Sequence, residues 1–216
     1  MIGQPTGRGE ATILSAPNLE FLTIADCEKV KAVHIETQRE ALVPKLQWLG
    51  VSETPSKWIP WRSLPRFSQL RWLEIVRPLV ERFPSDEDFG SLSTSLTTLI
   101  INDFPKLREL DGRGLQSLTS LQELCIWNSP ELERLPKEGL PPSLGVLFIE
   151  GCPKLEKRLK RKKGRDWSII KHLPCVVING LLFVPHTHGR SVCYDVEEFG
   201  GFRNLVFISF LPLFQF

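Results

Sequence analysis

The sequence lacks the marks of a membrane-spanning or secreted protein. No apolar run approaches the ~20 residues that a transmembrane helix needs, and the nearest candidate, residues 205–216, has 12 residues and includes Pro212. The first ten residues show no basic segment leading into an apolar one, and no Asn-x-Ser/Thr glycosylation acceptor occurs. The five cysteines are an odd number without a Cys-x-x-Cys pair, so no disulfide framework is indicated. We therefore expect a cytoplasmic protein without a membrane span, with nuclear localisation as the alternative.

Sequence motifs of enzymes are missing as well. The chain has no Gly-x-Ser-x-Gly, His-Glu-x-x-His, Gly-x-Gly-x-x-Gly or Gly-x-x-x-x-Gly-Lys-Ser/Thr segment. His186, His188 and Cys193 could supply three metal ligands, but a closed structural zinc site uses four. We therefore expect that the protein is not an enzyme and that it has neither catalytic residues nor a bound metal.

Charge is concentrated in one segment of the chain. Residues 154–165 hold eight Lys/Arg and one acidic residue, a local net charge of +7, whereas the whole chain carries only +2. The basic patch consists of Lys157, Arg158, Lys160, Arg161, Lys162, Lys163 and Arg165. Such a run could contact phosphates or direct nuclear import, but no stacking aromatic residues interleave it and the rest of the chain is acidic. We interpret it as a solvated surface patch and do not expect nucleic-acid binding.

Leucine recurs at a nearly constant spacing along most of the chain. The frame Leu-x-x-Leu-x-Ile/Val begins at Leu19, Leu46, Leu70, Leu96, Leu121 and Leu144. The intervals of 27, 24, 26, 25 and 23 residues fall within the period of about 20–29 that defines leucine-rich repeats. A weaker seventh frame, Leu173-x-x-Val176-x-Ile178, follows the sixth.

This repeat predicts the fold. The end of each frame alternates apolar and polar residues, which is typical of a strand with one buried face. Because one coil cannot bury its own apolar face, successive coils stack and their strands pair in parallel. We predict an α/β repeat solenoid of the leucine-rich repeat type, with the Leu/Ile columns as core, a parallel sheet on the concave face and irregular or short helical returns. The predicted divisions are a partial or disordered segment (1–17), the repeat domain (18–180) and an atypical hydrophobic segment (181–216).

Two motifs in the C-terminal part resemble a known family. Residues 140–158 read LPPSLGVLFIEGCPKLEKR, and residues 164–174 read GRDWSIIKHLP. They resemble the C-terminal leucine-rich repeats of plant intracellular immune receptors, the coiled-coil NB-LRR (NLR) disease-resistance proteins, and the resemblance covers roughly residues 18–180. It implies a protein-interaction module that senses a pathogen effector or a monitored host protein in the defence response, and that contacts the nucleotide-binding domain of a full-length receptor. Because the phosphate loop of that domain is missing here, we expect no cofactor in this chain.

Three outward positions in each predicted strand define a candidate binding surface. They alternate with the core columns and therefore face away from the core. The predicted partner-binding residues among them are Phe21, Trp48, Trp72, Glu74, Glu123, Cys125, Trp127, Phe148 and Glu150. Aromatic side chains on an exposed sheet face are typical of protein-interface hot spots, although packing between neighbouring strands also explains them. We further expect the outward-facing Cys125 to be the thiol that reacts most readily with a probe.

Two other hypotheses stay open on the sequence alone. The hydrophobic, off-pattern segment after Gly180 favours a truncated or pseudogene-like repeat fragment that has no ligand of its own. The basic patch supports, more weakly, a nucleic-acid-binding protein.

Overall fold

A computed structural model describes residues 11–13, 17–25, 32–34, 45–52, 69–84, 95–160, 164–183 and 193–195. Its strands are β1 (Ala11–Ile13), β2 (Phe21–Ile24), β3 (Ala32–His34), β4 (Trp48–Ser52), β5 (Trp72–Val76), β6 (Arg82–Phe83), β7 (Thr98–Asn102), β8 (Glu109–Leu110), β9 (Glu123–Trp127), β10 (Val146–Glu150), β11 (Cys175–Ile178), β12 (Leu181–Phe183) and β13 (Cys193–Asp195). Its helices are α1 (Gly112–Ser117), α2 (Pro153–Leu159) and α3 (Trp167–Ile170).

A mostly parallel sheet of nine strands organises the described residues. The strand order is β13-β12-β11-β10-β9-β7-β5-β4-β2, and neighbouring strands from β2 to β11 pair in parallel. Each frame of the sequence ends in one of these parallel strands. The frames are aligned without a slip, so that Leu22 lies opposite Leu49 and Leu124 lies opposite Leu147. The predicted α/β class and parallel sheet are confirmed.

The repeated apolar residues lie on one face of this sheet and form the core. Leu49, Leu73, Leu99, Leu124 and Leu147 are fully buried, and they pack in one cluster with the first leucines of their frames. Full burial of one such side chain stabilises the fold by about 1.5–3 kcal/mol. The period of the sequence therefore determines which face of the sheet is inside, as predicted.

Short strands on the opposite side of the core form a second ladder. Strand β6 pairs in parallel with β8, and Glu109 of β8 forms a bridge with Arg134. Arg82 and Arg134 flank the Glu109 carboxylate, Arg82 at 3.5 Å and Arg134 in direct contact. Opposite charges on neighbouring strands favour this register. The chain thus alternates between the main sheet and the return ladder, with the core between them.

A left-handed residue follows each of four consecutive strands of the main sheet. Arg77, Asp103, Asn128 and Gly151 have φ values of 57°, 56°, 48° and 67°. Asp, Asn and Gly enter this region more readily than other residues, whereas arginine does so at a cost. The Nε of Arg77 donates to Oδ2 of Asp103 at 2.6 Å, which holds the arginine in place. Each of these four strands is therefore followed by a left-handed residue, and the ends of neighbouring strands are aligned.

The sheet ends in an antiparallel hairpin that the sequence analysis missed. Asn179 and Gly180 form the two-residue turn between β11 and β12, with φ values of 48° and 76°. An Asn-Gly pair with two positive φ values is the preferred sequence for such a turn. Strand β13 then pairs antiparallel with β12, so the sheet continues beyond residue 180, the predicted end of the repeat domain. Residues 184–192 and 196–216 lie outside the described residues.

The charged stretch between the sixth and seventh frames contains two short helices. Helix α2 begins at Pro153, a favoured first residue, and the Glu156 carboxylate accepts the Cys152 backbone N–H at 2.8 Å. Helix α3 follows as a single turn. The two helices cover one end of the core, because Leu155, Leu159 and Ile170 are buried in it.

Candidate protein-binding face

The outward positions of the parallel strands form three rows on the face opposite the core, which we call the outer face. The first row is Phe21, Trp48, Trp72, Thr98, Glu123, Val146 and Cys175. The middle row is Thr23, Gly50, Glu74, Ile100, Cys125, Phe148 and Val177. The third row includes Ser52, Val76, Asn102, Trp127 and Glu150. All nine predicted partner-binding residues therefore lie on one face of one sheet.

The outer face is aromatic and open on its β2–β5 side. Phe21, Trp48 and Trp72 are direct neighbours across these strands, and we call them the aromatic edge. The ring of Phe21 is 57% exposed and meets Trp48 edge-on at a centroid distance of 6.3 Å. Trp48 and Trp72 are half-buried. The edge-on packing therefore leaves more than half of Phe21, and a smaller part of each tryptophan, in water.

The β7–β11 side of the same face is closed, which the sequence analysis did not anticipate. Its middle row, Ile100, Cys125, Phe148 and Val177, is buried together with Cys175 in a second apolar cluster. Trp127, Val146 and Leu182 pack against this cluster, so the hairpin strand β12 contributes to it. Phe148 is therefore part of a core and not an exposed binding residue.

The expectation that Cys125 is the most reactive thiol is wrong. The side chain is only 9% exposed, and burial, reinforced by the Glu123 and Glu74 carboxylates, raises the pKa of its thiol to about 12. Burial also raises the pKa of the Cys152 and Cys175 thiols, each to about 11. A protonated, covered thiol reacts slowly because the thiolate is the nucleophile.

Trp127 occupies an intermediate position on the outer face. It is half-buried and meets Phe148 edge-on at 5.9 Å, with an angle of 82° between the rings. Its indole Nε1 is buried without a hydrogen-bond partner among the described residues. An unpaired buried donor costs about 1–3 kcal/mol, so packing alone holds this ring in place.

The charges on the three rows have one sign. Glu74, Glu123 and Glu150 lie on the rows, and the described row positions include no lysine or arginine. Glu123 accepts a hydrogen bond from the Thr98 hydroxyl across the strands at 3.3 Å. The described residues offer neither Glu74 nor Glu150 an ion-pair partner. Just before the strands, the charges of the exposed Glu20 and Arg71 cancel each other. The outer face is therefore acidic because of the three glutamates on its rows.

The structure divides the predicted basic patch. Lys157, Lys160 and Arg165 are exposed, whereas Arg161, Lys162 and Lys163 lie outside the described residues. Arg158 was predicted to belong to a solvated patch, but it forms an ion pair instead. Its Nε and Nη2 donate to the two carboxylate oxygens of Asp166 at 2.9 and 2.8 Å. These hydrogen bonds raise the pKa of Arg158 above its usual value. The charge available to an anionic partner is correspondingly smaller.

Asp166 is the residue near this patch that sequence reasoning overlooked. It is 5% exposed, and its Oδ2 also accepts the buried backbone N–H of Leu135 at 3.3 Å. Asp166 thereby joins the loop before α3 to helix α2 and to the return segment of the fifth frame. Arg158 and Asp166 lie in the two motifs quoted for the family resemblance, but the spacing of charges in those motifs does not identify the pair.

The described part of the chain shows neither a cluster of metal-ligating residues nor a helix that could span a membrane. It contains no group of three or more His, Cys, Asp or Glu residues that could hold a metal ion. His186 and His188 lie outside the described residues, as does the side chain of Cys193. Within the same described ranges, no helix has the length and apolar character to cross a bilayer.

A scan against models of protein families and a search of curated proteins found no match to this chain.

Proposed function

We propose that residues 18–180 form a leucine-rich repeat solenoid whose outer face recognises a protein ligand. The unbroken register of the parallel strands and the second ladder on the return segments support stacked coils. Neighbouring strands are ~4.8 Å apart, whereas a helix is ~10 Å across. The return segments that include α1 and α2 therefore occupy more space along the stack than the strands do. The stack bends as a result, and the outer face becomes concave.

The exposed aromatic edge is the observation that carries the recognition role. A fully exposed aromatic side chain offers about 150–250 Å² to a partner, and we take roughly 200 Å² for the three partly covered rings together. A typical protein interface buries about 800 Å² on each side, with aromatic anchors near its centre. Phe21, Trp48 and Trp72 thus supply the apolar centre of an interface of ordinary size.

The plant immune receptor role is supported by the two sequence motifs. The Arg158–Asp166 contact gives these motifs a joint structural purpose, because it fixes the inserted helices against the repeats. In this proposal the ligand is a pathogen effector or a monitored host protein, and a full-length receptor would also present the repeats to its nucleotide-binding domain. Activation of such a receptor by the ligand requires that the ligand bind the active and resting states of the receptor with different affinity.

A two-hybrid screen of the full chain against a library of plant-pathogen effectors and plant proteins tests this function. The Trp48→Ala/Trp72→Ala double variant should lose the partners that the unmodified chain binds. Leu79→Ala is the matched control, because Leu79 is exposed and apolar but lies on a return segment away from the outer face. Circular dichroism melts establish that both variants are folded. Partners that bind the double variant as well as the unmodified chain would contradict the proposal, as would a screen without specific partners.

A further inference from the structure

The surroundings of the aromatic edge indicate what kind of segment it binds. Glu74 lies two residues after Trp72 on β5, so both side chains project from the same face of the sheet. Across the strands, Glu74 is paired with Gly50, which has no side chain. The nearest neighbour of a Cβ added at Gly50 would be the Thr23 side chain, at 3.4 Å from its Oγ1. Gly50 is itself buried, but it places no side chain beside the half-buried Glu74.

We propose that the aromatic edge and Glu74 bind an arginine- or lysine-bearing segment of the protein ligand, an inference that rests on the proposed function. Tryptophan is the aromatic residue whose face attracts a cation most strongly, and Trp48 and Trp72 are neighbours here. A guanidinium group can stack on an indole ring while it donates two hydrogen bonds to one carboxylate. Trp72 and Glu74 supply both elements on one strand.

Alternative partner chemistries fit this surface less well. An acidic segment would meet the Glu74 carboxylate, with Glu123 and Glu150 further along the same face, and like charges across an interface disfavour binding. A purely apolar segment would cover the Glu74 carboxylate without pairing it, which is unfavourable because the charge loses its water. A basic side chain alone satisfies both the tryptophan faces and the carboxylate.

A peptide-display selection tests this inference although the ligand itself is unidentified. Random 12-residue peptides are selected on the immobilised full chain, and the affinities of the recovered peptides are measured by fluorescence polarisation at low and moderate salt. We expect enrichment in arginine and lysine, with binding that weakens as salt increases. Trp72→Ala should lower the affinity about 10-fold or more, as expected for an aromatic anchor.

The contribution of Glu74 is isolated by a matched pair of variants. Glu74→Gln should lower the affinity for basic peptides about 5- to 30-fold, the range of a partly desolvated cation contact. Glu81→Gln is the control, because Glu81 is an exposed carboxylate on a return segment. Replacement of the peptide's arginine by citrulline, which is neutral, should lower the affinity at least as much, because it also weakens the contact with the tryptophans, and it should reduce the effect of Glu74→Gln.

The outcomes separate this inference from the proposed function. One outcome would refute the basic segment but not protein recognition. In that outcome the selected peptides are not enriched in arginine or lysine, and their affinity falls with Trp48→Ala or Trp72→Ala but not with Glu74→Gln. Peptides that bind these tryptophan variants as tightly as the unmodified chain overturn both. A selection that recovers no specific peptide also counts against both, since a preformed aromatic anchor should capture short segments from a random library.

Discussion

Replacement of Asp166 by alanine should destabilise the fold, whereas replacement of an exposed lysine of the basic patch should not. The substitution removes a buried carboxylate that accepts two hydrogen bonds from Arg158 and one from the Leu135 backbone N–H. It thereby detaches helix α2 and the loop before α3 from the return segment of the fifth frame. The leucines that α2 buries in the core depend on this attachment for their position.

The magnitude follows from the exposure of the two partners. Removal of one member of a fully buried ion pair costs about 3–5 kcal/mol. The Arg158 side chain is 33% exposed and can be rehydrated, so we reduce its share to about 1–2 kcal/mol. The orphaned N–H of Leu135 adds about 1–2 kcal/mol. We therefore expect Asp166→Ala to lower the free energy of unfolding by about 2–4 kcal/mol.

Urea unfolding of the full chain, followed by circular dichroism at pH 7, measures this change. Lys157→Ala is the control, since Lys157 is an exposed cation on the same helix, and its effect should stay within about 0.5 kcal/mol. In a double-mutant cycle, Arg158→Ala and Asp166→Ala should couple by about 1 kcal/mol or more. An Asp166→Ala change no larger than that of Lys157→Ala would falsify the reasoning.

Three further predictions concern a thiol, a turn and a carboxylate. Cys125 should resist iodoacetamide in the native protein at pH 8, because a pKa of about 12 keeps its thiol protonated. Mass spectrometry should detect labelling of Cys125 only after denaturation, and rapid labelling of the native protein would contradict its burial. Gly151→Ala should lower stability by about 2 kcal/mol, more than Gly139→Ala at about 1 kcal/mol. Both glycines have positive φ, but only at Gly151 would the Cβ lie 2.6 Å from an asparagine oxygen, and equal effects in thermal melts would refute this contact. The hydrogen bond from Arg134 lowers the pKa of Glu109, so its contribution to stability is present above pH ~4.5 and is lost as the pH falls. Glu109→Gln should flatten this part of the acid-unfolding curve, and an unchanged curve would show that the pair is not formed.

The strands and the core could be predicted from the sequence because both follow from one strong period. A leucine every 23–27 residues fixes the distance along the chain between successive parallel strands, and the alternation within each frame fixes which face is buried. Once the strands pair in parallel, the register leaves no freedom, since a slip of one residue would expose the whole core column. For that reason the outer rows, including Trp48 and Trp72, lie where the sequence predicted.

The features that were missed depend on contacts that have no period. The Arg158–Asp166 pair joins a helix to a loop eight residues away, and nothing in the spacing of charges distinguishes it from a solvated run. The burial of Cys125 and Phe148 on the outer face depends on how large side chains of neighbouring strands, and Leu182 of the hairpin, close over one another. The Asn179–Gly180 turn is different, because its signal is local and could have been recognised.

The division of the outer face explains how one sheet can serve both stability and binding. On the β7–β11 side, apolar residues of the middle row pack against one another and against β12, so their burial energy is already realised in the free protein. On the β2–β5 side, Gly50 interrupts the middle row and no equivalent apolar cluster forms among the described residues. The apolar surface of Phe21, Trp48 and Trp72 that folding leaves exposed is therefore still available. A partner that covers this surface would gain the free energy of its burial. Thr23, Gly50 and Glu74, which occupy the middle row on this side, supply no large apolar side chain that could cover these rings.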